Sequence, residues 1–328
     1  MTTPSAISAR RSANADLPLA VGPAISAIGF FDGDKILFIA TLIASEKLEA
    51  GDISAAADRL AAAGLHNSGS EWLEQTLAAD LRFSGDPAAA RAALEGSVRG
   101  VDVIVQREAG RRRRMLVADM DSTMITIECI DELADYAGIK PQIADITERA
   151  MRGELDFEGA LDARVMLLKG LDESVIDRCY AERVVIMDGA RELVRTMRAD
   201  GADCYLVSGG FTLFADRVAQ EIGFTSALSN VLEIADGKLA GTVARPIVGA
   251  AAKRKTLLAE AASHGVMPEQ CLAVGDGAND IPMIEAAGLG VAYHAKPKTA
   301  AAAAARIDHC DLTALLYAQG YARKDWIL

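Results

Sequence analysis

The chain is poor in cysteine, in positive charge and in long apolar runs, and each shortage closes off a class of function. Its five cysteines (129, 179, 204, 271 and 310) are odd in number and show no CxxC spacing. That pattern argues against a disulfide scaffold, a structural zinc site or a catalytic thiol, and predicts buried reduced thiols. The net charge of −12 argues against a nucleic-acid-binding surface. Arg111 to Arg114 is the only dense basic run, and it reads most simply as a solvated linker ahead of a strand. The stretch Leu17 to Phe31 is broken by Pro18, Gly22, Pro23 and Gly29, and Ile36 to Ala44 is apolar for only nine residues. Neither approaches the roughly 20 residues of a membrane span. Arg10 and Arg11 precede the first apolar stretch as in a signal peptide, but Asp16 intervenes and no clean cleavage site follows, so a cytoplasmic location is expected.

What is present suffices for a sizeable core. The 328 residues are 51% apolar and 24% charged, a composition for about two globular domains. Residues 1–15 are polar and read as a flexible terminus. Residues 16–110 mix β-like runs (Lys35 to Leu42, Val101 to Gln106) with Ala-rich helical stretches (Ile53 to Gly64, Pro87 to Val98), predicting a small α+β domain without a chemical motif or a glycine-rich binding turn. Gly110 and the arginine run mark the boundary to a second region, 111–328.

In that region β-like and helical segments alternate. Strand candidates are Met115 to Ala118, Cys204 to Val207, Leu272 to Val274 and Leu289 to Ala292, with helical patterns over 189–200, 212–222 and 253–264. The alternation predicts a Rossmann-like α/β fold, a parallel sheet flanked by helices on both faces. Residues of about 130–185 are wholly helical in pattern and interrupt the alternation straight after the first strand, as a cap would. Asn230 to Val243, centred on Asp236-Gly237, reads as a β-hairpin. The alanines from Ala300 to Ala305 read as helix filler.

The chemistry gathers at strand ends, where open α/β sheets place their ligands. Asp119 and Asp121 follow the first strand, and Ser208-Gly209-Gly210 follows the second with a hydroxyl and unhindered N–H groups at a helix start. Lys253 opens a helix, and Gly275-Asp276-Gly277-Ala278-Asn279-Asp280 adds two acids and an amide on a tight turn. Packing does not require three polar side chains on one such turn, so this is the most specific segment. Two acids one residue apart suit phosphoryl transfer, in which one carboxylate attacks phosphorus and the other handles the proton. Hard carboxylate oxygens suit Mg2+.

These four segments, in this order, resemble the motifs of the haloacid-dehalogenase-like phosphohydrolases. Glu128 to Glu132, Thr147 to Phe157, Gly275 to Met283 and Ala292 to Lys298 are similar, within that superfamily, to the phosphoserine phosphatases. The resemblance covers about 115–315. It implies hydrolysis of O-phospho-L-serine to L-serine and phosphate, the last step of serine biosynthesis, with Asp119 as nucleophile and Asp121 as proton donor and acceptor. It further implies Mg2+ held by Asp119, Asp121 (through its carbonyl oxygen) and Asp276, with Asp280 supporting from behind. Ser208, the Gly209 amide, Lys253 and Asn279 would bind phosphoryl oxygens, Lys255 being the alternative lysine. Glu128 would meet the substrate ammonium and Arg164 its carboxylate, while Met151 and Phe157 would form the apolar part of the cap. Taken alone, Glu128 and Arg164 also fit a structural salt bridge, and Met151 and Phe157 fit ordinary helical-bundle core.

The same residues would serve a relative that passes the phosphoryl group to another alcohol or prefers another phospho-amino acid. Relatives of this kind also carry amino-acid-binding ACT domains, so 16–110 is compatible with an ACT-like, ligand-sensing module. No nucleic-acid or membrane partner is expected. The sequence fixes no oligomeric state, a homodimer being compatible with it.

Overall fold

The computed structural model describes residues 37–328. The expected flexible terminus and the apolar stretch Leu17 to Phe31 lie outside the described residues. The first elements are β1 (Leu37–Ala44), α1 (Ala50–Ala62), β2 (His66–Glu74), β3 (Ala78–Ser84), α2 (Pro87–Leu94) and β4 (Val101–Arg107). They form an antiparallel sheet in the order β2-β3-β1-β4. This βαββαβ arrangement has ferredoxin-like topology. Its own core joins Leu42, Leu60, Phe83 and Leu94. The second helix stops at Leu94 rather than Val98, because Glu95 turns to an extended backbone.

The second region begins with β5 (Met115–Ala118), and its four residues are all fully buried. Alternate side chains point to opposite faces of a strand. Leu116 and Ala118 accordingly enter one core cluster, while Met115 and Val117 enter another on the opposite face. Burial on both faces is what a parallel sheet requires. Four helices follow: α3 (Cys129–Tyr136), α4 (Lys140–Met151), α5 (Phe157–Leu167) and α6 (Ser174–Arg183). They are the helical insertion. The chain enters and leaves it through a short antiparallel bridge, Ile125 to Ile186, flanked by Thr126 N–H to Val185 O and Met187 N–H to Met124 O.

After α7 (Ala190–Ala199) come β6 (Asp203–Phe211), α8 (Thr212–Ile222), β7 (Ser226–Asn230), β8 (Leu232–Ala235), β9 (Lys238–Val243) and α9 (Ala250–Ser263). The chain continues with β10 (Cys271–Gly275), α10 (Ile281–Ala286), β11 (Leu289–Tyr293), α11 (Pro297–Ala302), β12 (Ala305–Ile307) and α12 (Ala314–Ala318). The parallel sheet runs β12-β11-β10-β5-β6-β7. Ala118 pairs with Val274 on one side and Leu206 on the other, so the carboxyl ends of β5, β10 and β6 lie next to one another. The β8–β9 hairpin packs against the insertion through Gly170 N–H to Leu239 O and Glu173 N–H to Gly237 O.

Two expectations are corrected. The alanines from Ala300 to Ala305 are not all helix filler: α11 ends at Ala302, and Ala305 starts the edge strand β12. The arginine run is not a solvated linker. Arg111 pairs with buried Asp80 at 2.6 Å, Arg112 lies over the Tyr321 ring, and buried Arg113 donates to Glu269 O and to Gln106. It joins the antiparallel sheet to the α/β region, as does Asp102 of β4, which accepts from the backbone N–H of Asp308, His309 and Cys310. All five cysteines are free and buried. Among the described residues no helix is long and apolar enough to cross a membrane.

Candidate active site

Asp119 leaves the end of β5 with its N–H bonded to Val274 O of the neighbouring strand, so the first acid is fixed by the sheet itself. The next residues turn sharply about the Met120 carbonyl, which accepts from the N–H groups of Thr123, Met124 and Ile125. Ser122 adopts a positive φ of 55° in this turn, a conformation uncommon for a residue with a side chain. The turn carries Asp121 away from Asp119 and sends Thr123 inward, where its hydroxyl donates to Asp276 at 3.4 Å.

Asp119, Asp276 and Asp280 offer carboxylate oxygens within 4.8 Å of one another. Lys253, fully buried on α9, places its Nζ 2.6 Å from both Asp119 and Asp280. Lys255 is exposed on the same helix, so of the two lysines it is Lys253 that meets the carboxylates. Asp280 also accepts from Gly277 N–H at 2.9 Å, which gives each of its oxygens a protein donor. That leaves Asp119 and Asp276 as the freer pair. The backbone of this turn lies close against the turn's own side chains. A Cβ on Gly275 would lie 2.4 Å from the Asp280 carboxyl carbon, and one on Gly277 would lie 2.3 Å from Asn279 Oδ1.

Facing this cluster from β6, Ser208 is buried and accepts from Gly210 N–H at 2.8 Å. The pairing of β6 with β7 is interrupted between Val207 and Phe211, which lifts 208–210 out of the ladder as a bulge. A Cβ on Gly210 would come within 2.9 Å of Asp121 Oδ2, so glycine there is what lets the second acid approach. The insertion reaches the bulge through Phe157: a Cβ on Gly209 would stand 3.1 Å from its ring, and one on Gly249 3.0 Å. Met151 ends α4, and its side chain lies outside the described residues.

Glu128 is exposed at the start of α3 and accepts from Ser122 Oγ at 2.9 Å. Half-buried Arg164 of α5 donates Nε to Ala160 O at 3.2 Å. Glu128 and Arg164 form no direct ion pair among the described residues, although the carboxylates of Asp131, Glu128 and Asp121 act on the Arg164 guanidinium.

The electrostatics follow from packing four acids around one lysine. Burial, then the neighbouring Asp280 carboxylate, pushes Asp119 well above the usual carboxylate range, against the pull of Lys253. Burial and Glu128 push Asp121 up to about 7. Asp276 rises to about 6 through burial, Asp280 and Glu128. Burial works to lower Lys253, but the Asp119 and Asp280 carboxylates overcome it and hold the ammonium above its ordinary range. Excess negative charge on hard oxygen donors is the setting that a hard divalent cation relieves, so the donor set fits such an ion.

A pH dependence follows. Because Asp121 and Asp276 have folded pKa values of about 7 and about 6, above the unfolded value, the folded protein holds more protons than the unfolded chain from about pH 4 to 7. Stability in metal-free buffer is therefore expected to fall as pH rises through that window. Added divalent cation should restore it at pH 7.5 and do little at pH 5, because the ion needs the ionised carboxylates. Melting temperatures at both pH values, with and without the ion, check this; a metal-free melting temperature that rises from pH 5 to 7.5 would contradict it.

Gly210 belongs to the Ser208-Gly209-Gly210 turn expected from the sequence, whereas sequence reasoning missed Thr123, Gly249 and Asn230 as parts of this site. Asn230, at the end of a polar edge strand, gave no signal.

The family model for haloacid dehalogenase-like hydrolases matches residues 114–288, more than half of the chain. A phosphoserine phosphatase of Streptomyces coelicolor is 44% identical over 242 residues, covering 73% of this chain and 59% of that one. The chain thus spans about three fifths of that relative's length. A phosphoserine phosphatase of Polaromonas sp. is 47% identical over 208 residues, covering 62% of this chain and 88% of its own. The crystal structure of a probable phosphoserine phosphatase from Vibrio cholerae superposes with a TM-score of 0.71 at 33% identity, covering 89% of this chain and 88% of that one.

Proposed function

From the premise that this chain belongs to the haloacid dehalogenase-like hydrolase family, we propose that it hydrolyses O-phospho-L-serine to L-serine and phosphate. The observation that carries the reading is the set of buried carboxylates converging on Lys253 at the ends of β5 and β10, with one acid and one arginine standing unpaired with each other at the insertion. The relatives named phosphoserine phosphatase support the substrate.

In this mechanism a carboxylate oxygen of Asp119 attacks phosphorus while the serine oxygen departs. Asp121, with a pKa of about 7, is protonated in a useful fraction of molecules at neutral pH and gives its proton to that oxygen. The product is an aspartyl phosphate on Asp119. Asp121, now ionised, takes a proton from the water that attacks the phosphorus, and phosphate leaves with Asp119 regenerated. Lys253, Ser208, the Gly209 N–H and Asn279 hold the phosphoryl oxygens. Asp119, Asp276 and the Asp121 carbonyl would hold Mg2+, with Asp280 behind them, and the bound ion supplies a Lewis acid that offsets charge on those oxygens. Phe157 closes the apolar side of the insertion over the turn and keeps bulk water out.

Glu128 and Arg164 select the substrate, taking its ammonium and its carboxylate respectively. A bidentate arginine–carboxylate pair is a strong, directional contact. Arg164→Ala is expected to lower kcat/KM for O-phospho-L-serine by roughly 10- to 100-fold, the weight of a lost charged hydrogen bond. Turnover of p-nitrophenyl phosphate, which lacks that carboxylate, should change little. Phosphate release with Mg2+ from O-phospho-L-serine and from a phosphosugar tests the substrate directly. Preference for the sugar would sink the assignment while sparing the chemistry.

A further inference from the structure

The Ser208–Gly209 turn and the start of α9, which carries Lys253, come from segments some forty residues apart, yet both must face one phosphoryl group in the reading above. The only side chain that bonds to both approaches is Asn230, among the described residues. It is 1% exposed and ends β7, where its backbone re-pairs with Phe211 on the far side of the β6 bulge. Its Nδ2 donates to Gly209 O at 2.9 Å and to Val248 O at 3.3 Å, and its Oδ1 accepts from Val248 N–H at 2.8 Å. These partners fix the amide's orientation, since only the nitrogen can serve two carbonyls and only the oxygen can serve the N–H. Val248 leads through Gly249, whose carbonyl accepts from Lys253 N–H at 3.0 Å in the first turn of α9.

The Phe157 ring rests on the two glycines, Gly209 and Gly249, that flank this junction. One side chain therefore ties together the turn, the approach to the lysine and the floor on which the insertion lands. We infer that Asn230 is a positioning residue for the phosphoryl cradle. It sets the spacing between the Gly209 amide and Lys253 without touching the substrate. An asparagine suits this task because one planar amide supplies both a donor and an acceptor within a buried space. An aspartate of the same shape would keep the acceptor for Val248 N–H but turn an anionic oxygen toward two carbonyls.

The inference rests on the reading that this cradle binds phosphate, and orthophosphate binding by the wild-type protein in Mg2+ buffer tests that reading by itself. The further test is the inhibition constant of orthophosphate, with KM, for Asn230→Asp and Asn230→Ser, read alongside circular dichroism and melting temperature. Both constants are independent of how much of a sample is folded, so partial unfolding lowers apparent kcat without moving them. The expected result is that orthophosphate inhibition and KM weaken together, by about tenfold in Asn230→Ser and by more in Asn230→Asp. A melting temperature that falls while the inhibition constant and KM stay at wild-type values in both variants would make Asn230 merely structural and overturn the inference. If wild-type protein neither binds nor is inhibited by orthophosphate, the cradle reading falls and the role of Asn230 falls with it. If only the serine selectivity fails, the phosphate constants still decide for or against Asn230.

Discussion

Asp119→Asn is expected to reduce phosphate release by roughly 10³-fold or more, with Mg2+ and substrate both saturating, because an amide cannot form the acyl phosphate. The fold should survive. Asparagine has nearly the volume of aspartate, the Asp119 N–H to Val274 O bond belongs to the backbone, and Lys253 keeps Asp280 as its partner at 2.6 Å. Removing one of several crowded carboxylates also relieves repulsion that burial makes costly. The variant should thus melt within a few degrees of wild type while being inert. Single-turnover phosphate release and a melting curve on the same sample check both halves. Residual activity within tenfold of wild type would require another nucleophile, and an unfolded variant would show that Asp119 is needed to neutralise Lys253.

The second large effect is on stability. Asp102→Ala is expected to cost about 3–5 kcal/mol, because a buried carboxylate with several donors is lost and its partners are stranded. Asp102 is 3% exposed and accepts from Asp308 N at 2.9 Å, His309 N at 3.1 Å and Cys310 N at 2.9 Å. Asp102→Asn retains one acceptor oxygen and should lose less. Urea unfolding of the three proteins, compared by midpoint and slope, gives the order wild type, Asn, Ala. A midpoint for the Ala variant equal to wild type would mean that these N–H groups find other partners.

Much of the phosphatase-like region was legible because its signals are local. Met115 to Ala118 is a short apolar run with nothing polar to place on either face, which marks a strand buried on both sides. Asp119 and Asp121 follow it, and the glycines around Asp276 announce a tight turn. The strands that escaped notice are of another kind. His66 to Glu74, Ser226 to Asn230 and Ala305 to Ile307 sit at sheet edges, are short or polar, and carry no alternation strong enough to read, while Ala78 to Ser84 is internal and was hidden by its buried Asp80 and by Arg82. An edge strand is defined by the neighbour it pairs with, and that neighbour is not in its own sequence.

The arginine run teaches the same lesson in charge. Four consecutive arginines look solvated because isolated charges stay in water. Asp80, 31 residues away, makes burial of Arg111 tolerable, and Gln106 with Glu269 O does so for Arg113. By itself the sequence determined the parallel α/β sheet, the helical insertion after its first strand, and which acids, lysine and glycines gather at the strand ends. The tertiary structure alone decided that Lys253 rather than Lys255 meets the carboxylates, that Glu128 and Arg164 do not pair with each other, and that Asn230 joins two distant loops. The physical reason is range: propensity and periodicity act over a few residues, whereas a buried charge or amide is settled by partners that only folding brings within 3 Å or so of it.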